Sequence, residues 1–76
     1  MHLRIRDLRE DSDLSQAYVA NILHVTQATY SRYERGALEV PLDVLVRLAQ
    51  FYHTSTDYLL GLTDEKRPYP PSRRKL

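Results

Sequence analysis

Residues 14–36, LSQAYVANILHVTQATYSRYERG, decide the fold of this 76-residue chain. Two short helical patterns meet at residues 23–25, and each begins with a hydroxyl residue followed by glutamine, at 15–16 and at 26–27. Serine and threonine are favoured N-caps, because their side-chain oxygen accepts a hydrogen bond from a free N–H of the first turn. Two helices joined by a tight turn, with polar residues at the start of the second, are typical of motifs that enter the DNA major groove.

Composition indicates one small helical domain around this segment. The chain is 42% hydrophobic with only two glycines, and its length allows a single modest core. It has no cysteine, which excludes a disulfide framework and thiolate metal sites. Its three histidines are far apart in sequence, so we expect no metal site. A ligand-sensing domain is missing from the sequence, so we also expect no cofactor and no small-molecule ligand. Its apolar runs are short, so we expect no membrane span or signal peptide and a cytoplasmic location.

The net charge of +1 is unevenly distributed along the chain. Residues 63–76 carry five cations against two acids, or +3, which leaves −2 for residues 1–62. A protein that binds nucleic acid through bulk charge alone is more basic than this. Any DNA binding therefore depends on a local face that gathers Arg32 and Arg35.

Hydrophobic spacing and capping residues predict five short helices within residues 3–60, followed by a different kind of segment. The residues after position 62 include three prolines and many charges with little to bury, so we expect a basic, disordered tail over 63–76 and a domain of residues 1–62. The predicted helices are residues 3–10, 16–23 and 27–35, a fourth after Pro41, and a fifth between Ser55 and Gly61.

Polar side chains near the start of the third helix suit the readout of base edges. Glutamine can pair bidentately with adenine, arginine can pair with O6 and N7 of guanine, and alanine can contact a thymine methyl. The predicted base contacts are Gln27, Ala28, Ser31 and Arg32. Gln16 and Thr26 stand at helix starts, where free N–H groups attract phosphates, so we expect both to contact the DNA backbone.

This succession of motifs resembles the Cro/cI-type, or XRE-like, helix-turn-helix family of bacterial and phage regulators. The resemblance covers residues 3–62 and implies an all-α, compact five-helix, lambda-repressor-like domain with its third helix in the major groove. One reading helix spans few bases, so we also expect a homodimer on a palindromic or pseudo-palindromic operator. The motifs are Ile5-x-x-Leu8-Arg9, Leu14-Ser15-Gln16, Ala20, Val25-Thr26-Gln27, SRYERG at 31–36, Leu45-x-x-Leu48-Ala49 and STDYLLG at 55–61.

The resemblance also assigns roles to residues near the end of the third helix. Tyr33, Arg35 and the Gly36 backbone resemble a second phosphate clamp. Arg9 and Glu34 stand where related repressors have a largely buried ion pair that ties the first helix to the third. We expect this pair to be structural and to lie outside the binding site.

Three residues depart from the family pattern. His24 replaces a common glycine in a turn that tends to need left-handed backbone, at a cost of about 1 kcal/mol. Tyr30 replaces an aliphatic core residue, and we expect a buried ring with its hydroxyl near an edge or near DNA. Thr54 replaces a usual valine.

The leading interpretation is a sequence-specific DNA-binding regulator, most readily a repressor. Two alternatives stay open: an antitoxin or restriction-modification controller built on the same domain, and a protein-interaction module that has lost DNA binding. The −2 charge of residues 1–62 is compatible with the second alternative, a module without DNA binding. An enzyme is not expected, because the chain has no GxSxG motif and is too short to form a substrate pocket.

Overall fold

The computed structural model describes residues 3–72, which contain five α-helices and no β-strand. This confirms the predicted all-α fold. The second and third helices have the predicted bounds, and the first begins two residues later and ends one residue later than predicted. None of these helices is long and apolar enough to cross a membrane. The helices are α1 (Ile5–Asp11), α2 (Gln16–Leu23), α3 (Gln27–Arg35), α4 (Leu42–Phe51) and α5 (Thr56–Leu59).

Hydroxyl side chains begin three of the five helices, as the sequence predicts. The side-chain oxygens of Ser15, Thr26 and Ser55 accept hydrogen bonds at 3.0–3.1 Å from the backbone N–H of the residue three positions later. All three caps have extended backbone, which turns the chain sharply into the helix. The caps therefore set the starting points of α2, α3 and α5.

The core receives one fully buried side chain from each helix. These side chains are 0% exposed: Ile5, Val19, Tyr30, Leu48 and Leu59. Burying an apolar side chain of this size contributes about 1.5–3 kcal/mol, so each short helix is held by packing rather than by its own propensity. This shared centre fixes the position of α3 relative to the other helices.

The turn between α2 and α3 has the left-handed geometry expected from the sequence. His24 ends α2 with φ 59° and ψ 38°. The N–H of Val25 donates to the Ala20 carbonyl at 3.0 Å, closing the helix end. Ala20 itself is 2% exposed. A histidine therefore adopts the conformation that glycine takes most easily.

Residues 63–69 form neither helix nor strand, and they contact the helical domain near both ends of α5. The Arg4 guanidinium lies 4.5 Å from the centre of the Tyr58 ring and donates to the Thr63 carbonyl at 2.8 Å and to Asp64 at 2.9 Å. The Tyr69 hydroxyl donates to the Asp57 carboxylate at 2.9 Å. The domain therefore makes specific contacts beyond residue 62.

Thr54 makes another of these contacts, which explains a polar residue at a buried position. It is 5% exposed, and its hydroxyl donates to the Lys66 carbonyl at 2.6 Å. A buried hydroxyl needs such an acceptor, and valine could not supply the donor. The basic residues Arg73, Arg74 and Lys75 of the predicted tail lie outside the described residues.

Candidate nucleic-acid interface

The four predicted base-contact residues lie together on one face of α3. Positions 27 and 31, and positions 28 and 32, are one helical turn apart. Gln27, Ala28 and Arg32 are exposed and Ser31 is half-buried. This face therefore presents one amide, one guanidinium, one hydroxyl and one methyl group to a partner.

Two arginines near the end of α3 are available to bind an anion. Arg32 and Arg35 are exposed, and neither side chain has a hydrogen bond or ion pair within residues 3–72. Arg4, Arg6 and Arg9, in contrast, are each paired with an acid. Of the three arginines in residues 3–72 that have no such partner, two therefore lie on the predicted DNA-binding helix, and the third, Arg47, lies on α4.

An open recess of about 400 Å³ adjoins this face of α3. It is lined by Arg6, Arg9, Gln16, Ser31, Glu34 and Arg35. Ser31 belongs both to the recess and to the face described above, so the two form a continuous surface. The recess brings Gln16 and Arg35, two predicted phosphate contacts, next to each other.

Arg6 is a candidate contact that the sequence did not indicate. Its exposed guanidinium donates to Glu10 through Nε at 3.1 Å, which leaves its terminal N–H groups for another acceptor. The residue is on α1, and nothing in the chain around it distinguishes it from an ordinary solvent-facing cation. Only the folded structure, in which the Arg9–Glu34 ion pair joins α1 to α3, places it at the recess.

Glu34 lies at the floor of the recess and is the acceptor for two other helices. Its side chain is 3% exposed, and Arg9 donates to it twice, at 2.6 and 3.2 Å. The Gln16 amide donates to the same carboxylate at 3.1 Å. Burial alone would raise the pKa of Glu34, but these hydrogen bonds and the charge of Arg9 hold that pKa below its usual value. The predicted Arg9–Glu34 ion pair is confirmed.

The other predicted phosphate contacts lie in different surroundings. Thr26 is exposed and caps α3. Gly36 is exposed, with left-handed backbone at φ 71°. Tyr33 is 5% exposed, and its ring packs edge-to-face on Tyr30 with the ring centres 6.5 Å apart. The structure thus places the Tyr33 ring in the core, so only its hydroxyl remains as a possible phosphate donor.

Tyr30 is buried more deeply than the sequence suggests. Its ring is 0% exposed, as predicted, but its hydroxyl is also buried, beside the Glu34 carboxylate. The expectation of a hydroxyl near an edge or near DNA is therefore wrong, because the whole side chain fits inside the core. Burial and the nearby charge of Glu34 raise the pKa of Tyr30, and burial raises that of Tyr52 to about 12. Both phenols are neutral at physiological pH.

The chain matches the helix-turn-helix family over residues 5–59. This range covers all five helices and includes the α3 face and the recess. No solved structure matches the chain.

Several curated bacterial proteins are similar to this chain. The uncharacterized HTH-type transcriptional regulator YobD of Bacillus subtilis is 40% identical over 95% of this chain and 62% of its own length. AnsR, an HTH-type transcriptional regulator of the same organism, is 34% identical over 88% of this chain and 58% of its own length. The cryptic phage CTXphi transcriptional repressor RstR of Vibrio cholerae is 45% identical over 64% of this chain and 44% of its own length.

The chain thus spans about three fifths of the length of the first two relatives. The family match extends over well more than half of the chain. The chain belongs to the XRE-like helix-turn-helix family.

Proposed function

We propose that this chain binds specific sequences of double-stranded DNA in the cytoplasm and acts as a transcriptional repressor. The observation that carries the proposal is the exposed α3 face, where Gln27 and Arg32 have free side chains beside an arginine-lined recess. Base-pair edges in the major groove offer the acceptors and donors that these two groups recognise. The names of its relatives, which include regulators and a phage repressor, support the same function.

In this proposal, α3 contacts bases and the surrounding elements contact phosphates. Gln27, Ala28, Ser31 and Arg32 read base edges. Phosphate contacts come from the starts of α2 and α3, where free helix N–H groups attract anions, and from a cation at the end of α3. These residues are Gln16, Thr26, Arg35, the Tyr33 hydroxyl and, in addition, Arg6. The Gly36 backbone is not among them, because its N–H donates to the Tyr33 carbonyl at 3.2 Å.

Selection of bound duplexes from a random library, followed by titration at several salt concentrations, tests the function. We expect one enriched motif and an affinity that falls linearly with the logarithm of the salt concentration, because bound cations release counterions from DNA. If no motif is enriched and no duplex binds even at low salt, the protein-interaction alternative is favoured instead.

Arg6→Gln tests the contribution of α1. We expect weaker binding to all sequences, with a salt slope smaller by about 0.9, because one phosphate contact is lost. Arg47→Gln is the matched control, since Arg47 is an exposed arginine on α4 that does not line the recess. An equal change in both variants would show that Arg6 acts only through the net charge.

We also propose that the protein binds its operator as a homodimer. The regulator needs two reading helices to recognise a site long enough to be rare. Exposed apolar side chains supply a surface for self-association: Leu42 is 80% exposed, Leu62 73%, Val46 46% and Leu38 43%. Leu38 and Leu42 also line an apolar groove of about 260 Å³. An exposed apolar groove of this kind is typical of protein interfaces.

Leu42→Glu is expected to weaken self-association roughly 10-fold or more, because it removes a leucine from the interface and adds a charge. The free energy of unfolding should change little, since this side chain is mostly exposed. Sedimentation equilibrium of the wild type, Leu42→Glu and the control Gln50→Glu checks this. A wild type that stays monomeric, or equal dimerisation in all three proteins, would exclude this interface.

A further inference from the structure

Three helices meet at the carboxylate of Glu34. Arg9 comes from α1, Gln16 is the first residue of α2, and Glu34 lies near the end of α3. The carboxylate accepts from the Arg9 guanidinium at 2.6 and 3.2 Å and from the Gln16 amide at 3.1 Å. All three side chains line the recess beside the α3 face. The buried ion pair is therefore in direct contact with a residue of the proposed interface.

We propose that Glu34 is a positioning residue of the DNA interface, whose carboxylate holds the Gln16 amide so that its second N–H is presented to a backbone phosphate. The inference rests on the proposed function. It gives the Arg9–Glu34 pair, expected from the sequence to be only structural, a role in binding. Glu34 does not touch DNA in this arrangement and acts through Gln16.

The chemistry of the amide supports this role. A glutamine Nε2 has two N–H donors, and the bond to Glu34 uses one of them. A free glutamine side chain loses rotational freedom when it binds a phosphate, which weakens the contact. Because the carboxylate already holds the amide, this loss occurs on folding instead of on binding. Gln16 is also half-buried, so its remaining donor has few directions open to it.

The charge of Arg9 makes an acid tolerable at this position. A bare carboxylate next to the DNA backbone would repel phosphates. Arg9 donates to Glu34 through two nitrogens and to the Leu14 carbonyl at 2.8 Å through the third. The pair is neutral as a whole, while Arg6 and Arg35 at the same recess supply positive charge. The recess can therefore contain Glu34 and still attract a phosphate.

The test compares the effect of Gln16→Ala in two backgrounds. One is the wild type, and the other is the double variant Arg9→Met/Glu34→Leu, which removes the acceptor without changing the net charge. Apolar residues of similar size can replace a buried ion pair without loss of stability. Dissociation constants for the selected duplex are measured by fluorescence anisotropy on samples whose folding is verified by circular dichroism.

We expect Gln16→Ala to weaken binding roughly 2- to 10-fold in the wild type, the range for one hydrogen bond. In the double variant the same change should cost less than about 2-fold, since the amide is no longer held. Arg32→Ala is the matched control, and its cost should be the same in both backgrounds. Equal costs of Gln16→Ala in the two backgrounds, or none in the wild type, would overturn the inference.

A measurement on the wild type alone tests the role of Glu34 if the double variant does not fold, or if the cost of Arg32→Ala differs between the two backgrounds. The two side-chain amide protons of Gln16 are followed by NMR during titration with the duplex. We expect one proton, bonded to Glu34, to keep its shift while the other moves; if neither moves, or both move alike, the inference fails. A wild type that binds no duplex at all overturns the proposed function itself, and the role of Glu34 with it.

Discussion

Replacing Arg9 by methionine is expected to lower the free energy of unfolding by about 3–5 kcal/mol, because it leaves the Glu34 carboxylate buried without its partner. The Glu34 side chain is only 3% exposed, and the Leu14 carbonyl also loses a donor. Urea denaturation at neutral pH measures the loss. In a chain of this length each 1 kcal/mol corresponds to about 4–8 °C in Tm, so thermal melts should show a large decrease.

The pH dependence distinguishes a stranded charge from a simple packing defect. In the wild type the pKa of Glu34 is lowered by its partners, so its contribution to stability is present above the unfolded pKa of about 4.3 and is lost as the pH falls through the folded pKa. In the variant, burial without Arg9 raises the pKa of Glu34, and protonation removes the stranded charge. The difference in unfolding free energy between the two proteins should therefore begin to shrink above the unfolded pKa of about 4.3, as the pH falls through the raised pKa of the variant. It should go on shrinking as the pH falls through the lowered pKa of the wild type.

Arg6→Met is the matched control for this prediction. Arg6 also pairs with an acid, Glu10, but their side chains are 63% and 54% exposed. Exposed pairs contribute about 0–1 kcal/mol, so this variant should remain close to the wild type. A similar loss in both variants, or a loss for Arg9→Met that is independent of pH, would show that the buried charge is not responsible.

The helices could be predicted from the sequence because their signals are local. The caps at Ser15 and Thr26 need only the residues of one turn, and the left-handed backbone at His24 follows from its place between two helices. The same left-handed conformation at Asp13 and His53, with φ 56° and 53°, was not predicted. Neither position has the glycine that usually marks such backbone.

The α3 face could be predicted for the same reason, whereas the recess could not. A single helix fixes which of its residues share a side, but the recess combines Arg6, Gln16 and Arg35 from three helices. Within α3 itself, the burial of the Tyr33 ring was not predicted. Tyr33 follows Tyr30 by three positions and so turns inward with it, although Arg32, one position before it, and Arg35, two positions after it, are exposed.

The contacts of residues 63–69 with the helical domain could not be predicted from composition either. Prolines and charges indicate a segment that buries little apolar surface, and this segment does make its contacts through polar groups instead. Lys66 contributes only its backbone carbonyl, which accepts from Thr54, and Tyr69 contributes a hydroxyl. A backbone acceptor leaves no trace in the pattern of side chains, so only the folded structure identifies it.

Arg32→Ala is expected to weaken binding to the selected operator by about 1–3 kcal/mol, or roughly 5- to 150-fold in Kd. The guanidinium is exposed on the α3 face and has no partner within residues 3–72, so its loss should leave the free energy of unfolding nearly unchanged. An arginine that pairs bidentately with guanine discriminates against the other bases, because they lack the two adjacent acceptors. The variant should therefore lose its preference at one base pair in a repeated duplex selection.

Arg35→Ala separates base readout from phosphate binding on the same helix. Arg35 is also exposed and free of ion pairs within residues 3–72, but it lines the recess and does not belong to the face of Gln27 and Arg32. A phosphate contact carries no sequence information, so this variant should bind all duplexes more weakly by a similar factor and keep the wild-type motif. The salt slope should fall by about 0.9. If Arg32→Ala instead weakens all sequences equally, Arg32 also contacts phosphate, and Gln27 becomes the principal candidate for base readout.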